Sequence, residues 1–277
     1  MSPENAFVDV SSFPAVDQVS DTATMIAMLD RLNRFLVGPK ETLLNRLSVD
    51  HARAVLDVGC GTGGDVVDMA SRMPRGGAAV GMDASEAMIT EARRRHGEAT
   101  TGDRGGADIA FRLGDALDLP YADHTFDVCR VETVLQHLRD AGRAVQEMVR
   151  VTRPGGRVGA LEFDEGGWLL DHPDQPATRA ILDAYADSMA CGWMGRQLPR
   201  MFREAGLTEV SVDAVVILGT FEAARALLTP AVTRLRDKHV LSPQQVNDWW
   251  AALDQQAAVG NFLGGSVAFV VTGTRPR

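Results

Sequence analysis

Residues 55–65 read Val-Leu-Asp-Val-Gly-Cys-Gly-Thr-Gly-Gly-Asp, and few folds accommodate such a stretch. Ala54, Val55, Leu56 and Val58 form a short apolar run suited to a buried strand, which breaks at Gly59. From about Gly64 the apolar residues Val66, Val67, Ala70 and Met73 fall on one side of a helix. Strand, glycine turn, helix is the first unit of a doubly wound α/β sheet, a fold that binds ligands at the carboxyl ends of its strands. Gly59, Gly61 and Gly63 can take positive φ and carry no Cβ, so the turn can lie against a ligand. The helix behind it begins with free N–H groups.

The same residues satisfy the dinucleotide fingerprint G-x-G-x-x-G, which alone is a weak signal. Asp57 weighs against a dinucleotide. It stands two residues before the first glycine, where an anion repels a pyrophosphate and attracts an ammonium group. The motif also follows some fifty residues of N-terminal chain rather than opening the sequence. Together Asp57, Gly59, Gly61 and Gly63 resemble motif I of the class I S-adenosyl-L-methionine (SAM) methyltransferases.

Three further segments carry the resemblance. Residues 78–83 predict a second strand ending in Asp83, with Ser85 as the N-cap of the next helix. An acid at that strand end is where nucleotide-binding α/β folds chelate ribose hydroxyls. Residues 109–113 predict a third strand, and Gly114-Asp115-Ala116-Leu117-Asp118-Leu119-Pro120 after it resembles the family's adenine-binding turn. Residues 126–131 predict a fourth strand, followed by Glu132 to Leu138 and a helix over 141–151. Arg153-Pro154-Gly155-Gly156 then makes a turn before a fifth strand over 158–163, another signature of the family. The match covers Val55 to about Asp164 and is similar to small-molecule methyltransferases of quinone and natural-product biosynthesis.

The resemblance implies a Rossmann-like, doubly wound α/β sheet of seven strands, order 3-2-1-4-5-7-6, with the last strand antiparallel and helical lid segments. It implies SAM as cofactor and S-adenosylhomocysteine (SAH) as product. The expected cofactor contacts are Asp57, Gly59, Gly61, Thr62, Gly63, Asp83, Ala84, Met88, Gly114, Asp115, Ala116, Glu132 and His137. Asp115 accepts the adenine amino group and the Ala116 N–H faces the ring in that reading.

Outside the motif block, residues 1–20 predict an extended arm, and 21–47 two helices separated at Gly38-Pro39 that cover a sheet edge, close over the cofactor, or do both. Residues 100–108 predict a surface loop, and 166–174 a loop carrying Trp168 and His172. Helices are expected over 177–190, 198–205, 221–238 and 243–258, with strands over 209–218 and 266–272. In the first of these strands Val210, Val212, Ala214 and Val216 alternate with other residues. The organisation expected is an arm with cap helices over 1–50, a SAM-binding core over 51–165, and the remaining sheet with lid helices over 166–277.

A net charge of −9 argues against a nucleic-acid backbone as partner. The basic cluster Arg93-Arg94-Arg95-His96 ends a predicted helix, where cations oppose the negative dipole end. The [Asp/Asn/Ser]-Pro-Pro-aromatic element of nucleic-acid and amide methyltransferases finds no match at Asp127-Val128-Cys129-Arg130. Three scattered cysteines suggest neither a disulfide framework nor a metal knuckle. No apolar run reaches the roughly 18 residues of a membrane span. The N-terminus lacks the basic start and apolar core of a signal peptide. A cytoplasmic protein with a small-molecule substrate follows, with a homo-oligomer left open.

Methyl transfer from a sulfonium is an in-line displacement that gains most from orientation, and it needs no metal. The six histidines show no metal-ligand spacing. A hydroxyl acceptor needs a base, and His137, just past the fourth strand, serves as one in similar O-methyltransferases; the alternative is that it only contacts cofactor or packs. Glu162, at the end of the fifth strand, is placed to orient His137 or take a proton itself, with Asp164 as fallback and Tyr185 and His172 as weaker candidates. Trp168, Trp193, Met194, Trp249, Trp250 and Phe262 suggest a lipophilic or aromatic acceptor, with O- and C-methylation both open. A SAM-binding relative that promotes cyclisation or rearrangement without methyl transfer is the main rival. A SAM-bound regulatory protein comes next, and an NAD dehydrogenase is more distant.

Overall fold

The computed structural model describes residues 22–97, 99–100 and 107–277. The expected N-terminal arm and most of the 100–108 loop lie outside these residues. Helices α1 (Thr22–Phe35) and α2 (Val37–Leu47) lead into β1 (Ala54–Val58), α3 (Gly64–Arg72), β2 (Ala78–Asp83) and α4 (Glu86–His96). A two-residue β3 (Ala99–Thr100) precedes β4 (Asp108–Leu113), β5 (Phe126–Glu132), α5 (Ala141–Val151) and β6 (Thr152–Leu170). Then come α6 (Gln175–Ala186), α7 (Met194–Glu204), β7 (Thr208–Leu218), α8 (Phe221–Asp237), α9 (Pro243–Ala258) and β8 (Gly264–Thr274).

The sheet runs β3-β4-β2-β1-β5-β6-β8-β7. Without the short antiparallel edge strand β3, this is the expected seven-stranded order 3-2-1-4-5-7-6. β8 runs antiparallel to both neighbours. One apolar layer joins Val55, Val128 and Leu161 to α2 and α3. The opposite layer joins Leu56, Val58, Val131 and Val158 to α5 and α7. α2 lies so close on β6 that a Cβ at Gly159 would stand 2.7 Å from Leu43 Cδ1.

Several boundaries differ from expectation. The break between α1 and α2 falls at Leu36, and Gly38-Pro39 lies in the first turn of α2, where proline's missing N–H costs no helical bond. β6 does not stop near Phe163. It runs to Leu170 and pairs through Leu169 and Leu170 with Gly265 and Gly264, after a register shift following Asp164. Trp168 is therefore on a strand rather than in a loop.

Most of the alternating residues of β7 turn outward, although Val210 packs against the α5–α7 layer. Val212, Val216 and Leu218 are exposed, while Asp213 pairs with Arg46 and Ile217 packs inward. An edge strand has one flank unpaired, and here the inward face carries the mixed polar set. A separate core of Ile181, Tyr185, Leu228, Trp249 and Leu253 joins α6, α8 and α9.

Candidate active site

The crossover lies at the end of β1. Gly59, Gly61 and Gly63 all have positive φ (74°, 52° and 83°). Their surroundings divide the work. A Cβ at Gly59 would meet Val134 Cγ2 at 2.2 Å, and one at Gly63 would meet Phe111 Cε1 at 2.5 Å. A Cβ at Gly61 would meet nothing within 4 Å. Gly59 and Gly63 serve packing, and Gly61 leaves room for a ligand.

Asp83 braces this turn from β2. Its Oδ2 accepts the Gly61 N–H at 2.8 Å and its Oδ1 the Ser85 N–H at 2.9 Å. Asp115 accepts the Leu117 N–H at 2.8 Å and is exposed. Ala116 is buried among core residues, and Gly114 is packed so that a Cβ there would stand 2.5 Å from Met82 Sδ. Ala84 is exposed, and Met88 is buried against Met25 of α1.

A cleft at the turn is lined by Leu29, Asn33, Asp57, Gly59, Cys60, Gly61, Thr62, Gly64, Asp65, Arg130, Glu132 and Thr133. Its floor is a buried charge cluster that sequence reasoning found only in part. The parallel register sets Asp57 beside Arg130, and both share the α2–α3 face with Glu132. Arg130 Nη2 donates to Asp65 Oδ2 at 3.1 Å and to Glu132, and Arg130 Nε stands 3.3 Å from Asp57 Oδ1. Lys40 of α2 reaches Asp65 and Glu132, each at 2.8 Å. Three carboxylates thus face two cations. Burial pushes Asp57 up to about 7 in spite of Arg130. It raises Glu132 as well. Burial acts the same way on Asp65, but Arg130 and Lys40 overcome it and hold that carboxyl at about 2. Arg130 Nη1 has no hydrogen-bond partner. Neither Lys40 nor Arg130 belongs to a recognisable motif; the β1–β5 register reveals the role of Arg130, and the packing of α2 that of Lys40.

The end of β5 turns sharply at Thr133, a β-branched residue with φ of 51°. Such backbone costs on the order of 1–3 kcal/mol and concentrates at functional sites. The turn sets Val134 against Gly59 and starts a single 3-10 turn, Leu135–His137. Glu162 secures it, its Oε1 accepting the N–H groups of Val134 (2.9 Å) and Leu135 (2.8 Å). Burial raises its carboxyl to about 8. Glu162 is 0% exposed and holds the backbone that carries His137; it does not stand in the crevice wall. Asp164, on the same face, is committed to Arg196 through two side-chain bonds of 2.6 Å.

The opposite face of β6 carries Phe163 and Glu165 into a second cavity of about 880 Å³ counting its open mouth. α1 contributes Leu29, Leu32 and Phe35; α8 contributes Ala223, Ala224 and Leu227; Trp168, Tyr185 and Met189 close another side. His137 and Gln136 also line it. Burial lowers His137 to about 4, so the imidazole is neutral at physiological pH. Leu29 and Thr133 line both this cavity and the glycine-turn cleft, so the two spaces meet there. Of the aromatic set, Trp168 lines the cavity, Trp249 is buried against Trp250, Trp193 lies under Arg196, and Phe262 packs on Phe221. His172 stacks on Trp249 and accompanies that core instead. Among the described residues no group of three or more His, Cys, Asp or Glu is arranged for a metal, and no helix is long and apolar enough to cross a membrane.

A sheet of this order with its glycine turn at the crossover is that of the Rossmann-like methyltransferases. The chain superposes on YcgJ of Bacillus subtilis with a TM-score of 0.58 and 18% identity, covering 86% of this chain and 99% of that one. Residues 56–159 match the family described as "Methyltransferase domain". A demethylmenaquinone methyltransferase of Desulfitobacterium hafniense is 30% identical over 227 residues, covering 74% of this chain and 88% of that protein. An uncharacterized 37.1 kDa protein in transposon TN4556 of Streptomyces fradiae is 34% identical over 188 residues, 68% of this chain. The chain spans about half, 52%, of that relative's length. The chain belongs to the SAM-dependent methyltransferases.

Proposed function

We propose that this chain transfers the SAM methyl group to oxygen or carbon of a small lipophilic or aromatic metabolite of the natural-product type, in the cytoplasm. The observation that carries the reading is the junction at Leu29 and Thr133, where a charged glycine-turn cleft opens into an apolar cavity. A cavity of apolar walls with a few placed polar groups suits such an acceptor.

The residues present fit the cofactor. Open space over Gly61 admits a ligand against the backbone. The floor sets three carboxyl groups against two cations, which suits an ammonium, and the unpaired Arg130 Nη1 offers a donor to a carboxylate. Asp83, whose carboxylate stands at the glycine turn, takes the ribose side in that reading, while the 114–116 turn, with Ala84 and Met88, takes the adenine side. When bound, SAM supplies an electrophilic methyl group. Thr133 and Leu29 set the line of approach between the two spaces. Neutral His137 takes or gives a hydrogen bond to the acceptor, and Glu162 keeps its turn in position. Apolar walls exclude water, which strengthens the electrostatics at the junction.

Incubation with methyl-labelled SAM and lipophilic aryl hydroxyl compounds tests this. Label in the organic extract supports it; a rearranged product without label points to the cyclisation rival.

A further inference from the structure

We propose that Glu165 is the proton acceptor of the reaction, taking the proton of a phenolic or enolic hydroxyl that the substrate presents to the apolar cavity. This rests on the methyltransferase reading above and names its acceptor class.

Glu165 is the one carboxylate among the described residues that line the cavity. The alternation of β6 puts it there: Leu161, Phe163 and Glu165 share the face covered by the N-terminal helices, while Glu162 and Asp164 point to the other side. Its Oε2 is fixed from two directions, accepting from Trp168 Nε1 at 2.6 Å and from Ser266 Oγ at 3.1 Å. Its N–H donates to the Gly192 carbonyl at 2.8 Å, which fixes the backbone as well.

Among the described residues no cation pairs with it. Arg196, the guanidinium of the neighbouring helix, is spent on Asp164. A buried carboxylate kept for structure alone is ordinarily paired, because an isolated buried charge is costly. One held by two neutral donors in an apolar wall is poised to take a proton. Burial lifts it to about 7, near the working pH, where a base is most effective. His137 is held far lower and is the weaker base.

In the step, the acceptor O–H bond breaks and its proton moves to the Glu165 carboxylate, leaving the electron pair on oxygen. Oxygen forms the bond to the methyl carbon, and the carbon–sulfur bond breaks with its pair on sulfur. The products are a methyl ether, neutral SAH and a protonated Glu165 that returns its proton to solvent. Attack by a ring carbon conjugated with that oxygen uses the same deprotonation. The displaced ring proton then restores the hydroxyl, with the same net change.

Among the described residues, the charged and titratable groups around Glu165 are few. Asp164 is on its own strand with Arg196 of α7 upon it; Tyr185 faces the cavity from α6, and His137 from the 3-10 turn. β8 offers Ser266, while α1 and α8 offer only apolar side chains.

Calorimetry on the SAH-saturated protein with 2-naphthol and 2-methoxynaphthalene as probes tests the assignment. At pH 8 the wild type should favour the naphthol by about tenfold, the scale of a hydrogen bond to a charged group. That preference should fade toward pH 6 as Glu165 is protonated. In Glu165→Gln it should fall to about twofold to threefold and lose its pH dependence. Ser266→Ala, which removes a donor to the charged form, should keep the preference at high pH and move its midpoint upward, a shift that a purely structural role would not produce. Glu165→Asp, which keeps the charge, should retain a pH-dependent preference and carries the test with Ser266→Ala if Glu165→Gln does not fold. An unaltered preference in Glu165→Gln overturns the proposal. So does a pH-independent preference in the wild type, an unmoved midpoint in Ser266→Ala, or no preference at all. SAH affinity measured in the same samples separates the two levels: if SAH binds while the naphthol result fails, only this assignment is lost. If SAH does not bind the wild type, the methyltransferase reading fails first.

Discussion

The two spaces that meet at Leu29 and Thr133 are built in opposite ways. The cofactor cleft is made of backbone and charge, with a glycine turn over five ionisable side chains from α2, β1, α3 and β5. The acceptor cavity is made mainly of apolar and aromatic side chains from α1, β6, α6, β7 and α8, with Gly264, Gly265 and Ser266 of β8 and a single carboxylate among the described residues. In the proposed reading one recognises a zwitterion of fixed shape and the other an apolar body. A ligand of defined charge is gripped by groups whose spacing is set by neighbouring strands, whereas an apolar one is enclosed by whatever segments can be brought around it.

Breaking the charged side should have the largest effect. Arg130→Ala leaves Asp57, Asp65 and Glu132 facing Lys40 alone. Removing one partner of a buried ionic cluster costs about 3–5 kcal/mol, so chemical denaturation should show a loss of that size and SAH binding should disappear.

Next comes the contrast within the turn. Gly61→Ala adds a methyl group to open space at positive φ, so stability should fall by only about 1 kcal/mol while SAH affinity drops at least about tenfold. Gly59→Ala drives the same methyl into Val134 and should damage both fold and binding. Equal behaviour of the two variants would remove the distinction between packing and ligand-facing glycines.

A smaller effect concerns pH. The raised carboxyls Asp57 and Glu165 (about 7) and Glu162 (about 8) hold protons in the folded protein that the unfolded chain has lost. Stability from these groups therefore falls as pH rises from the unfolded carboxyl range toward 8. His137, lowered to about 4, acts in the other direction, but only below about 6.5, the imidazole value it regains on unfolding. Between pH 6.5 and 8 the melting temperature should decline. Glu162→Gln, which still accepts the N–H groups of Val134 and Leu135, should flatten the part between 7 and 8. An unchanged slope in that variant would contradict the burial argument for Glu162.

The smallest effect is at the junction. Thr133→Asn places a residue that tolerates left-handed backbone at φ of 51°. It should raise the melting temperature slightly and leave the sheet intact.

The same contrast explains what could be read from the residues alone. The glycine turn, the strand end at Asp83 and the Ser85 cap are local patterns that the fold bears out, and the strand order, which the family resemblance implies, is found as well. Arg130 looked like one more strand residue until the β1–β5 register set it beside Asp57. β6 misled because both its faces are apolar around Val158 to Phe163, so periodicity could not tell which side Glu162 and Glu165 take. The length of β6 was hidden by Gly166 and Gly167, which look like a loop, yet a Cβ at Gly166 would strike Trp193 at 2.4 Å. The cavity itself depends on α8 and β8 meeting α1 across nearly the whole chain, and no local pattern carries that.

The central claim is that the cleft over Gly61 holds a sulfonium nucleoside and not a diphosphate. Calorimetric titration of the purified protein with SAH and, separately, with NADH tests it most directly. The account predicts saturable binding of SAH that Asp83→Ala weakens by more than about tenfold, and no heat from NADH. Binding of NADH without SAH, or SAH affinity unchanged in Asp83→Ala, would contradict it.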